Sequence, residues 1–177
     1  MKKQFLAVSA LALAVMSGSA LAAPQDVQFV GAVTDSTCNI KPEVGGTTGN
    51  FVQMGTVIKG TEQQTGTAFT LKAVPGTGTT NACTLTGMTT ASVSWVGNFD
   101  TDGLKAQSGA AHDAYAIITP VNAKASTPIT SANTTSEFES NKLTAATPEG
   151  LQFTAKLKGG KQAGDYVSSA AFVVAYK

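Results

Sequence analysis

Apolar and polar residues alternate with a period of two through most of the chain, and this restricts the fold more than any other property of the sequence. In an extended strand successive side chains point to opposite faces, so such alternation makes one face apolar and the other polar. The stretches FVQMGTVI (residues 51–58), TAFTLKAV (67–74), ASVSWVGNF (91–99), AYAIITPV (114–121), LQFTAKLK (151–158) and DYVSSAAFVVAYK (165–177) all read as strands. In the third, Val93, Trp95 and Gly97 fall on one face and Ser92, Ser94 and Val96 on the other. No comparable helical stripe follows the first residues. The connections PEVGGTTGN, PGTGTTN, DTDGLKAQSGAAHD, NAKASTPITSANTT and KGGKQAG are rich in glycine, proline, asparagine and serine. Short strands punctuated in this way predict an all-β sandwich. Neither an internal repeat nor a linker divides the chain.

The first residues read as an address. MKKQFLAVSALALAVMSGSALA has a basic start, a short apolar run and an A-x-A ending at Ala20 to Ala22, the layout of a secretory signal peptide. Its apolar core is too short for a comfortable membrane span. Cleavage before Ala23 leaves 155 of the 177 residues, a length that suits one domain with a real core. Without Lys2 and Lys3, the 12 lysines fall to 10 against 11 acids, a net charge of −1. The sequence contains no arginine. A nucleic-acid partner is set aside, because such binding needs a basic face and commonly bidentate arginines. Cys38 and Cys83 both survive removal of the leader, and in an oxidising compartment an even pair most simply forms one disulfide.

An immunoglobulin-like sandwich has seven strands. The alternating stretches after Cys38 supply about six, and the sequence ends inside the last of them. One core groove would then lie open beside that strand. VQFVGAV, residues 27–33, places Val27, Phe29, Gly31 and Val33 on one face. That face suits a hydrophobic groove, with Gly31 where the floor is too shallow for a side chain; close approach of another backbone is one recurring reason for a strand glycine. On alternation alone, residues 27–33 fit an ordinary first strand paired within its own domain equally well. In the last stretch Tyr166, Phe172, Val174 and Tyr176 share one parity, and Gly164 opens the run.

These features together resemble the subunits of chaperone–usher pili, in particular the major subunits of type 1 and P-like fimbriae. The resemblance spans the whole mature chain. It rests on V-x-F-x-G-x-V from Val27, on Cys38 soon after, on Cys83 following the second strand, on Gly164 at the fourteenth position from the end, and on the penultimate Tyr176. It implies an incomplete immunoglobulin-like β-sandwich that lacks its C-terminal seventh strand and carries an N-terminal donor strand. The implied division is a signal peptide over 1–22, a donor-strand extension over 23–33 and a pilin domain over 34–177. A periplasmic chaperone would lend a strand to the groove, and an outer-membrane usher would exchange it for the extension of the next subunit. Phe29 and Gly31 would enter successive pockets, and the strand from Gly164 to Tyr176 would be the groove edge that the chaperone pairs with. The expected partners are neighbouring subunits in a homopolymer, the chaperone and the usher. The expected destination is a fimbrium on the cell surface, reached through the periplasm, that supports bacterial adhesion. The alternative is a subunit that itself binds host glycans as an adhesin.

Catalytic and cofactor chemistry finds few parts in this sequence, and neither an enzymatic activity nor a cofactor is expected. His112 is the sole histidine, and its neighbour Asp113 would point to the opposite face of a strand. No nucleophile-elbow motif accompanies the pair. DTDG at residues 100–103 lacks the later ligands of a calcium loop, and a hairpin turn explains it with less. PGTGTTN has no lysine for a phosphate and reads as a turn. Trp95 is expected to fill the core. Lys156, Lys158 and Lys161 form a local basic patch, ordinarily a solvated face, for which a weak acidic-glycan contact is conceivable through the resemblance.

Overall fold

The computed structural model describes residues 38–74, 83–144 and 149–177. The leader, the stretch of Val27, Phe29, Gly31 and Val33, and all of PGTGTTN (residues 75–81) lie outside the described residues. The described chain forms β1 (Ile40–Val44), β2 (Thr47–Thr48), β3 (Thr67–Ala73), β4 (Thr90–Gly97), β5 (Leu104–Lys105), β6 (Tyr115–Pro120), β7 (Thr135–Glu139), the single turn α1 (Asn141–Thr144), β8 (Leu151–Lys158) and β9 (Ala170–Tyr176). One sheet has the order β2-β1-β3-β8-β6-β5 and the other β7-β4-β9. The pairings within both sheets are antiparallel. This is the all-β, immunoglobulin-like sandwich that the alternation predicts.

Register carries the alternation into the core. Phe69 lies opposite Phe153 and Leu71 opposite Leu151, while Ile118 lies opposite Ala155. All six are buried, because residues paired across a ladder share a face. From the other sheet Ala91, Val93 and Trp95 of β4 and Phe138 of β7 complete the same core. Trp95 stands edge-on to Phe69 and Phe153 at 6.2 and 5.4 Å between ring centroids. Phe69 and Phe153 stack at 5.3 Å. Trp95 is thus a core residue, as its position in the alternation predicts.

Cys38 and Cys83 form the disulfide, with their Cα atoms 5.0 Å apart. Closing a loop of 45 residues stabilises the fold by about 4 kcal/mol in the chain-entropy model. It fastens the residues just before β1 to the approach to β4, and so joins the two sheets.

The structure differs from the sequence reading in three connections and one strand. PEVGGTTGN contains most of the β1–β2 hairpin, turned by Gly45 and Gly46. DTDGLKAQSGAAHD contains β5, and β7 begins at Thr135, the last residue of NAKASTPITSANTT. Residues 51–58 join no ladder among the described residues. Gly55, at φ +77°, breaks the regular strand there, a conformation other residues seldom adopt. DTDG makes the turn between Phe99 and Leu104, with Asp100 Oδ1 accepting the Asp102 amide at 2.9 Å.

Candidate functional site: a half-buried groove beside the last strand

β9 is an edge strand among the described residues, paired with β4 alone. Its register sets Tyr176 opposite Ala91, Val174 opposite Val93 and Phe172 opposite Trp95. Since those three β4 residues are buried in the core, Phe172, Val174 and Tyr176 face the core as well. Yet none of the seven residues of β9 is fully buried, whereas inward residues of β4 range from 0% to 7% exposed. The core face of β9 is therefore only half covered. Phe172 touches the core through Trp95, at 5.6 Å between ring centroids.

A second row of half-buried apolar side chains packs on the same core: Cys38, Ile40 and Val44 around β1, then Val52 and Met54. Val57 and Met54 continue it onto a smaller cluster of Ala111, Ala114 and Leu157, where Tyr166 also packs. The two rows meet at both ends. At one, Tyr176 hydrogen-bonds the backbone of Cys38. At the other, Tyr166 lies with Met54 and Val57, its hydroxyl donating to the Leu104 carbonyl at 2.8 Å. Burial pushes both tyrosine hydroxyls above their ordinary 10.0, so both remain protonated across the physiological range.

Gly164 stands before this strand at φ +148°, and a Cβ there would come within 2.4 Å of the Ala110 Cβ. Only glycine lets the loop pass so close. The chain after it first follows the edge near β5, where Val167 exchanges backbone hydrogen bonds with Ser108, and then crosses to pair with β4. Asp113 steadies the approach by accepting the amides of Lys161 at 2.7 Å and Gln162 at 3.2 Å. The Lys161 amide is the main cause that holds the Asp113 carboxyl below its ordinary 3.8. A depressed carboxylate contributes stability above its ordinary value and loses it as pH falls through the lower folded value. We therefore expect hydrogen-exchange protection of the Lys161 and Gln162 amides to hold from neutrality to about pH 3.8 and to decline below it. Asp113→Asn should remove that acid step; a step that survives the substitution belongs to another group.

Other sequence candidates separate from this site. His112 is exposed in its loop, with Nδ1 3.1 Å from the Ala110 carbonyl oxygen. Lys156 and Lys158 point outward from β8 and pair with Glu62 at 3.8 Å and Asp102 at 3.4 Å. Beside β7 a recess of about 170 Å³ is lined by polar side chains including Lys124, Asn133 and Glu137, with no aromatic ring among its lining residues. The far wall at Val52, Met54 and Val57 is the part that sequence reasoning did not assign to the site. Its alternation was visible; its packing on the same clusters as β9 and Tyr166 was not.

Curated proteins share nearly the whole length of this chain. The F107 fimbrial protein of Escherichia coli is 38% identical over 177 residues, covering 99% of each chain. The chain belongs to the fimbrial subunit family. A second fimbrial subunit, the K99 fimbrial protein of Escherichia coli, is 29% identical over 191 residues, again covering 99% of both. No family model matches the chain. This fimbrial subunit is accordingly a structural protein that assembles with other pilus subunits. Its core-facing last strand and its disulfide belong to a building block, and no group of three or more His, Cys, Asp or Glu residues that could hold a metal ion occurs among the described residues.

Proposed function

We propose that this fimbrial subunit polymerises by donor-strand exchange, its groove beside β9 receiving residues 23–33 of the next copy. The observation that carries the reading is the half-covered core face of Phe172, Val174 and Tyr176 on a strand with a free edge among the described residues. An apolar face beside an unpaired strand edge is an aggregation hazard, and adding a strand is the recurrent solution. Val27, Phe29 and Val33 supply the apolar face of the incoming strand, and Gly31 sits where the groove is shallowest.

Residues 1–22 direct export to the periplasm, residues 23–33 form the extension and residues 34–177 form the receiving domain. A periplasmic chaperone first covers the groove along the Gly164-to-Tyr176 edge, and an outer-membrane usher exchanges its strand for the extension. The product is a fimbrium at the cell surface that supports adhesion. Withdrawing the strand requires all its contacts to break together, which makes the polymer persistent through a slow off-rate.

Gly31→Leu tests the reading in the full mature chain. Refolded wild-type subunit should form polymers visible by size-exclusion chromatography and electron microscopy. The variant should stall as short or aggregated species, because the leucine side chain has no space against the groove floor. Normal polymers from the variant would sink the proposed register. A wild-type chain that stays a stable monomer would sink strand donation itself.

A further inference from the structure

We infer that Gln63 is the positioning residue for the far wall of the groove, holding residues 51–57 where an incoming strand can use them. The inference rests on the strand-donation reading. Residues 51–57 make no backbone–backbone hydrogen bond to another described residue. Side chains substitute for the missing ladder. Thr67 Oγ1 donates to the Gln53 carbonyl at 3.0 Å. Gln63 Nε2 donates to the carbonyl of Met54 and, at 3.4 Å, to that of Thr56. At its other end Gln63 Oε1 accepts the Leu157 amide of β8 at 2.8 Å, while the Gln63 amide donates to the Leu157 carbonyl at 3.0 Å.

One side chain thus bridges β8 and the wall. Only a carboxamide has the chemistry for it, since it accepts from one N–H and donates through two hydrogens. Its two carbonyl partners flank Gly55, the kinked position of the segment. Fixing both sides of the kink holds Met54 against the core and the smaller cluster together. A wall held in advance spares the incoming strand the cost of ordering it.

The test uses the full mature chain, refolded with excess fluorescent peptide of residues 23–33 and then chased with unlabelled peptide. Wild type should capture the label and release it slowly. Gln63→Met, which removes both halves of the bridge, should release it about tenfold faster, the equivalent of about 1.4 kcal/mol. Gln63→Glu keeps an acceptor for the Leu157 amide but cannot donate to the wall, and it should also release fast. A role confined to capping β8 predicts wild-type release from Gln63→Glu, and that result overturns the inference. Wild-type release from both variants overturns it while strand donation stands. A wild-type chain that neither captures the peptide nor polymerises overturns strand donation, and this inference with it.

Discussion

Moving residues 23–33 to a position after Lys177, through a short flexible linker, is expected to yield a monomer that unfolds in one cooperative step. The same chain without residues 23–33 should aggregate or melt at a much lower temperature. Burial of Val27, Phe29 and Val33 contributes roughly 1.5–3 kcal/mol each. Each new main-chain hydrogen bond adds near 1 kcal/mol, and ordering the strand and closing the linker offset part of the sum. A net gain of about 4 kcal/mol raises the melting temperature of a chain this size on the order of 10 °C. Differential scanning calorimetry of the two chains measures it directly. Gly31→Leu in the transplanted strand should erase the gain. A chain without residues 23–33 that is already soluble and melts at the same temperature as the transplanted form would show that the sandwich needs no added strand.

Phe153→Ala is expected to cost about 3–5 kcal/mol in the folded subunit. The ring is 0% exposed at the centre of β8 and meets three others: Phe69 stacked at 5.3 Å, Trp95 edge-on at 5.4 Å and Phe138 tilted at 5.3 Å. Truncation leaves a cavity between the two sheets that these neighbours cannot collapse into, because each is fixed by its own strand. The aromatic pairings add roughly 0.5–1.5 kcal/mol apiece beyond burial. Phe172→Ala makes the informative contrast. Phe172 touches Trp95 but remains partly exposed on the free-edge strand. Its loss should cost clearly less in a denaturant titration of the uncomplemented subunit, and more once a donor strand covers it. Equal costs at the two positions in the uncomplemented subunit would contradict a half-open groove.

The alternation in LQFTAKLK and TAFTLKA made β8 and β3 legible, because every second residue of β8, and of β3 from Phe69 on, is apolar and buried. β4 was legible for the same reason, and the two cysteines announced their bond. β7 was not: of its inward residues Ser136 and Phe138, only one is apolar, so the period has a single beat. β1 was hidden by Pro42 at its centre, which cannot donate to a ladder and reads as a break. Residues 51–58 misled in the opposite sense, since their side chains alternate but Gly55 and the side-chain bonds from Gln63 and Thr67 replace regular pairing. Of the site, the β9 face was readable from parity alone. The row of Val52, Met54 and Val57 depends on which segments the fold brings onto the same clusters, and bonds such as that from the Leu157 amide to Gln63 Oε1, 94 positions apart, leave no local trace.

The disulfide has a mechanical consequence if residues 23–33 couple one copy to the next. Tension arriving through that extension reaches Cys38 within a few residues and there meets a covalent link to Cys83. From Cys83 the chain runs through buried Leu85 into β4, which is laddered to β9 over all seven residues of that strand. On that reading β9 in turn would grip the neighbouring copy. A share of the load would therefore pass through the small sheet along its strands, where a pull must shear many hydrogen bonds at once, instead of all of it entering the larger sheet through β1.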